Sequence, residues 1–349
     1  MAARAAWENR RPARFGYGAT YAVGHAFNQR VPMPDGGVKF TRDFREGLAT
    51  GRPVDPRLNV IRIDDLDGRP IAGWVRVAAH PACVIFNGPL SAEYPGYLTD
   101  SLSWSVADGA PVLFGYGASG DVNCVPMFGS EEDSRNLGLR LAEWIAPAFA
   151  NIKTAVPQRV GFGQTEIDLP LEAVPSVESL DRDISEVEAF TASLENDPSA
   201  EWVLGINCKK EWPIEKKKAH VAPLAEWARR AKQAVQSGME FPRTWRSTAN
   251  AVIIDDLGLV FYSGEPFTTL SLEVAAKSPL SDTLLMAFGN GCEGYIGLAD
   301  DWKRGGYEPY TSNRYSLLAD GTRPLPYRQG AGESLVKELL ELIEDMSSS

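Results

Sequence analysis

Four apolar residues, Pro111, Val112, Leu113 and Phe114, run straight into three glycines, Gly115, Gly117 and Gly120, and then into Asp121 and Asn123. A short apolar run bounded by turn signals reads as a buried strand. Glycine at this density lets the backbone take positive φ and lets a ligand approach peptide N–H groups closely. A plain Gly-rich turn fits the same residues. What constrains the chain is that a strand end is delivered into a polar loop, the place where catalytic groups collect.

The same pattern recurs. Leu58 to Ile63 and Ile71 to Ala78 read as strands around the acidic turn Asp64–Gly68, and the second ends in Ala79-His80-Pro81. Asn250–Ile254 and Leu259–Tyr262 read as a hairpin around Asp255–Gly258, running into Ser263-Gly264-Glu265-Pro266. Thr283 to Phe288 ends in Gly289-Asn-Gly-Cys292-Glu-Gly-Tyr295. Helical spacing marks Tyr94–Trp104, Leu137–Phe149 and Gly332–Met346, and no sequence repeat is visible. The expected fold is therefore α/β, mixed β-sheet layers flanked by helices, in one domain over residues 1–349. Residues 170–240 are rich in charge and helical pattern and read as a helical insertion. In open α/β sheets ligands gather at strand ends, so His80, Asp121, Asn123, Glu265 and Tyr295 are the candidates for a shared site.

A chain of 349 residues, 44% hydrophobic, buries a substantial core, and its formal charge of −11 argues against nucleic acid or an anionic membrane as main partner. Cys83, Cys124, Cys208 and Cys292 show no paired spacing and read as reduced thiols, which suits a cytoplasmic protein. The first residues carry charges where a secretory signal has an apolar stretch, and no run approaches a membrane span. Lys216-Lys217-Lys218 reads as a solvated face, and His220 as a surface or capping residue at a helix start.

Four segments resemble the neutral, non-lysosomal ceramidases and their bacterial relatives. Phe114-Gly-Tyr-Gly-Ala-Ser-Gly-Asp121-Val-Asn123 resembles the family's Gly-Ala-Ala-Gly-Asp-Val-Ser/Asn-Pro loop. Val77-Ala-Ala-His80-Pro81 with Ser91-Ala-Glu-Tyr-Pro-Gly-Tyr97 resembles its His-Pro and Ser-Ala-Asp-Tyr-Pro-Gly-Tyr segments. Gly264-Glu265-Pro266-Phe267 resembles its Pro-Gly-Glu-Phe element, and Gly289 to Tyr295, with Gly305-Gly-Tyr-Glu308 behind it, its Ala-Asn-x-Tyr-x-x-Tyr element. The resemblance implies the fold of the C-terminal part of that catalytic domain and a zinc-dependent amide hydrolase. His80, Glu265 and Tyr295 would be zinc ligands, and Asp121 and Asn123 would serve the chemistry. Backbone N–H groups of Gly120 to Asn123 would bind a developing oxyanion. Arg30, Tyr94 and Tyr97 are weaker candidates for substrate contact.

Three departures qualify this. Asn123 stands at the family's nucleophilic serine and Cys124 at the following proline, so an acyl-enzyme at that serine is replaced by metal-activated water; Cys124 would need a base to act as nucleophile and reads first as a buried, inert thiol. Cys292 stands at the first tyrosine of the Tyr-x-x-Tyr element. The family's N-terminal His-Thr-His-Ser-Gly-Pro motif is missing. The expectation is a hydrolase subunit for a small amide-type substrate, its site completed by a second polypeptide. The alternative is a non-catalytic supporting subunit that keeps the fold without a full metal site.

Overall fold

The computed structural model describes residues 2–85 and 90–348. Two four-stranded sheets form its centre, and the same succession of elements builds each. In the first, β1 (Arg14–Tyr21), β2 (Arg57–Asp64) and β3 (Pro70–Val77) form an antiparallel meander. Helix α1 (Glu93–Ser105) then crosses over to β4 (Val112–Tyr116), which runs parallel to β3, and α2 (Glu131–Asn151) returns across the outer face. In the second, β5 (Val160–Pro170) is followed by an excursion through α3 (Val177–Ser193) and α4 (Ile214–Gln236) before β6 (Thr244–Ile254) and β7 (Leu257–Tyr262) complete the meander. Helix α5 (Thr268–Lys277) crosses to β8 (Asp282–Met286), parallel to β7, and α6 (Ala331–Ser348) covers the sheet.

Strand alternation explains the layering. β2 sends Leu58 and Val60 against Leu98, Leu102, Leu141 and Ile145 of the helices, and Ile61 and Ile63 to its other face. β7 sends Val260 and Tyr262 toward Leu270, Leu335 and Leu339, and Leu257, Leu259 and Phe261 the opposite way. The two inner faces meet in one apolar cluster that includes Trp74, Leu284 and Met286. The architecture is helix, sheet, sheet, helix. The central strands are covered on both faces, whereas the edge strand β5 keeps Val160 and Phe162 exposed.

The sheets also join at one corner. The Ala118 N–H donates to the Leu285 carbonyl at 3.2 Å and the Ala287 N–H to the Tyr116 carbonyl at 3.0 Å, which brings the C-terminal ends of β4 and β8 together. Arg76 ties the sheets nearby: buried and ion-paired with Asp55 of its own half, it also donates to the Leu285 carbonyl of β8.

The α/β expectation with mixed sheets holds, and the charge-rich segment 170–240 contains the α3–α4 pair, packed on itself through Val187, Phe190, Val221 and Leu224. Some details differ. The Thr244–Tyr262 hairpin turns at Asp255-Asp256, and pairing continues through Ile254 and Leu257, so Leu257 and Gly258 belong to the strand. Lys217 is not a solvated lysine: it is buried, its ammonium donating to the carbonyls of Pro198 and Ala200 at 2.7 and 2.9 Å.

Candidate active site

The site forms where the two halves meet. Val77 ends β3, and three residues later the His80 N–H donates to the Val122 carbonyl at 3.0 Å, placing His80 in a parallel bridge with Asn123. Tyr262 ends β7, and three residues later the Glu265 N–H donates to the Gly294 carbonyl at 2.8 Å, placing Glu265 in a parallel pair with Tyr295. Gly120 joins the pairs by donating its N–H to the Pro266 carbonyl at 3.0 Å. A Cβ at Gly120 would lie 2.5 Å from the Glu265 carbonyl oxygen and 3.1 Å from Cδ1 of Tyr295. Glycine is present for close approach.

His80 Nδ1 lies 2.9 Å from the Val122 carbonyl, which only accepts, so Nδ1 carries the hydrogen and Nε2 faces outward. Nε2 lies 3.2 Å from a carboxylate oxygen of Glu265. Burial alone would lower the His80 pKa, but the hydrogen bond and charge of Glu265 outweigh it and raise the pKa above the ordinary value. The buried Tyr94 hydroxyl donates to the Ala79 carbonyl at 2.7 Å and so fixes the peptide before His80. Burial and the charge of Glu265 push the Tyr295 phenol well above its usual range.

The remaining expected residues divide. Asn123 reaches the site, and its side-chain amide donates to Gln29. Gln29 in turn donates to Glu308 at 2.7 Å, and Glu308 is ion-paired with Arg30. Arg30 is fully buried in that pair and in bonds to the Asp301 and Gly305 carbonyls, so it holds loops together and is not available to substrate. Asp121 is also fully buried: one oxygen accepts from the Thr268 N–H that starts α5 at 2.8 Å, the other from the Asn28 side chain at 2.6 Å. Its role is to seat the start of α5 and the Asn28 strand. The N–H groups of Gly120 and Val122 are engaged by the Pro266 and Ser119 carbonyls, so these two do not form an oxyanion hole. Cys124 packs 3.4 Å from Cys83, and burial pushes its thiol well up, which keeps it inert. Tyr94 is core, and Tyr97 bonds Glu131 on the surface.

His80, Asn123 and Tyr295 open onto a cavity of about 150 Å³. Its other walls are Gln29, Phe40, Arg42, Met127, Phe128 and Tyr307, together with Ile206, Asn207 and His220 from the insertion. His220 lies well inside α4 and faces the cavity with its ring against Trp212 and Tyr315, which corrects the expectation of a capping residue. Arg42 and Gln29 carry no sequence motif that would have singled them out for this wall, whereas Tyr307 lies in the Gly305-Gly-Tyr-Glu308 segment.

No family model matches the chain, and no curated protein matches it. Solved structures do. A neutral ceramidase from Pseudomonas aeruginosa matches with a TM-score of 0.57 at 15% identity, over 95% of this chain and 52% of that one. A ceramidase complexed with C2 matches with a TM-score of 0.59 at 13% identity, over 97% of this chain and 54% of that one. The fold is that of the neutral ceramidases. The chain spans about half the length of these ceramidases.

Whether the site suits a metal is decided by its donors. The Val122 carbonyl holds the His80 Nδ1 hydrogen, which leaves Nε2 as the free donor beside the Glu265 carboxylate, the arrangement that orients a ligating histidine. Tyr295 pairs with Glu265 across the short parallel ladder and lines the same cavity as His80. His80 Nε2 and a Glu265 oxygen are donor types that zinc takes, and Tyr295, its phenol held protonated by burial and the charge of Glu265, would be the third. Among the described residues no group of three or more His, Cys, Asp or Glu clusters for a metal. The set depends on Tyr295.

Proposed function

We propose that this chain is a subunit of a hydrolase of a C–N amide-type bond, in which His80, Glu265 and Tyr295 hold zinc and a segment of another chain completes the site. The observation that carries this reading is the approach of His80 Nε2 to the Glu265 carboxylate, at 3.2 Å, beside a cavity that Asn123 and Tyr295 also line. Zinc, when bound, lowers the pKa of a water and polarises a carbonyl. The chain's own groups do the rest. Val122 and Tyr94 fix the imidazole, and Gln29 fixes the Asn123 amide where the family's serine stands. The apolar walls limit water. In the reaction a water oxygen bonds the carbonyl carbon, the C–N bond breaks, and the departing amine takes up the proton that the water loses.

A second reading, a supporting subunit that retains the fold without a metal, is favoured by the absence of a His, Cys, Asp or Glu cluster among the described residues. Elemental analysis separates the two. Stoichiometric zinc in the purified chain or its complex, lost in His80→Ala and Glu265→Ala with the fold intact, supports the hydrolase. No metal in either preparation, with the fold intact, leaves the supporting subunit.

A further inference from the structure

The cavity has an unexpected charge. In a chain of formal charge −11, no Asp or Glu is found among its described lining residues, whereas the guanidinium of Arg42 lines it. Arg42 is the fixed cation among them. Its two terminal nitrogens donate to the side chain and carbonyl of Asn207 at 2.5 and 2.8 Å, and its Nε is buried without an acceptor. Among the described residues it has no carboxylate partner, although Arg30, Arg52, Arg57 and Arg76 each do. Aromatic rings pack against it, Phe128 at 5.1 Å, Phe40 at 5.6 Å and Trp212 at 5.7 Å, and they exclude water from its faces.

Further cations stand behind this wall. Lys209 lies 3.9 Å from the centre of the Phe128 ring and Lys216 lies 4.7 Å from that of Trp212. Glu201 and Glu211 are the acids felt by Arg42 and Lys209, and neither lines the cavity. A partly desolvated guanidinium with no carboxylate in contact gains when an anion reaches it.

We infer that the cavity binds an amide bearing one anionic group, a carboxylate or similar acid, which Arg42 receives while the amide lies at His80 and Glu265. This rests on the hydrolase reading for the position of the amide, but the anion site stands on Arg42 and the wall itself. The acid can belong to the amine half, as in an N-acyl amino acid, or to the acyl half, as in the monoamide of a dicarboxylic acid.

The test measures binding by calorimetry and turnover by amine release, on the full chain in its purified form and in whatever complex it is isolated with. The probes are N-hexanoylglycine, its neutral counterpart N-hexanoylglycinamide, and adipic acid monopropylamide. At least one acid is expected to bind about tenfold or more tightly than the neutral amide. Arg42→Gln should abolish that preference, and Arg42→Lys should restore part of it. A merely structural tie to Asn207 would not discriminate by the ligand's charge. The better of the two acids tells which half of the substrate carries the anion. Arg42-dependent binding without turnover upholds the anion site and sinks the hydrolase reading. Equal affinity for acid and amide, or binding of none of the probes by the folded protein, overturns the inference.

Discussion

His80 and Glu265 occupy equivalent places in the two halves of the molecule. Each is the third residue beyond the last strand of its meander, each precedes the crossover helix, and each lies in a parallel bridge with a residue of the loop after the following strand. The partners, Asn123 and Tyr295, are therefore equivalent as well. The two His80 and Glu265 side chains meet at 3.2 Å because the C-terminal ends of β4 and β8 bond each other. A fold made of two like units brings two unlike donors together at their junction.

Gly120 is where that junction is tightest. In Gly120→Ala the new methyl would sit 2.5 Å from the Glu265 carbonyl oxygen, far inside van der Waals contact. Backbone cannot give way as a flexible side chain does, so the Glu265 strand must shift. We expect a loss of about 1–3 kcal/mol in stability, as for other overpacking changes. Bound metal should fall by a larger proportion, read by elemental analysis beside a denaturant curve. Unchanged stability and metal content would show that Gly120 is an ordinary turn residue.

Much of this site was legible in the sequence because the loops carrying it have local signatures. Glycine-marked strand ends, a histidine before proline and an acid before proline placed His80, Asn123, Glu265 and Tyr295. Arg42 and His220 were not legible. Arg42 reaches Asn207, 165 positions away, through a contact that only the folded insertion creates. His220 sits inside an amphipathic helix where a histidine has no pattern of its own. The duplication of the fold was hidden for another reason. Ala78-Ala79-His80 and Ser263-Gly264-Glu265 share a place in the topology and no side-chain chemistry. Asp121 was placed correctly in its loop, but its burial against the start of α5 follows from tertiary packing alone.

Asp121→Asn tests that placement. The carboxylate accepts from two buried donors, the Thr268 N–H and the Asn28 amide. An amide in its place presents N–H groups toward one of them and leaves a buried donor unmet, costing about 1–3 kcal/mol. Thermal unfolding should shift down by several degrees. Asn28→Asp with Asp121→Asn should recover part of the loss by reversing the donor and the acceptor. No change in melting temperature would mean that Asp121 is not holding the helix.

Thiol chemistry should follow burial. Cys83, Cys124 and Cys208 are buried and Cys292 is exposed. A disulfide reagent at neutral pH should therefore titrate one thiol per folded chain quickly, and all four cysteines only after denaturation. Cys292→Ser should abolish the fast phase. A second fast thiol in the native protein would contradict the packing of Cys124 against Cys83.

Acid stability should be lost in two separate windows. Burial lowers the pKa of His25 to about 4. Above the unfolded value of about 6.5 the residue is neutral in both states and stability is complete. As the pH falls from there toward 4, the unfolded chain binds a proton that the folded chain refuses, and about 3 kcal/mol is lost. Burial would raise the pKa of Asp55, but hydrogen bonds from Arg57 and the charges of Arg76 and Arg57 outweigh it and hold it down to about 2. Its contribution is present above the ordinary carboxylate pKa of about 4 and is lost as the pH falls from there through 2. His25→Gln should flatten the stability curve between pH 6.5 and 4 and leave the lower window. Asp55→Asn should lower stability at neutral pH, because Arg76 and Arg57 lose their carboxylate, and should flatten the curve below pH 4. Urea midpoints measured every half unit of pH would show both effects, and a His25→Gln curve parallel to wild type would rule out a buried neutral histidine.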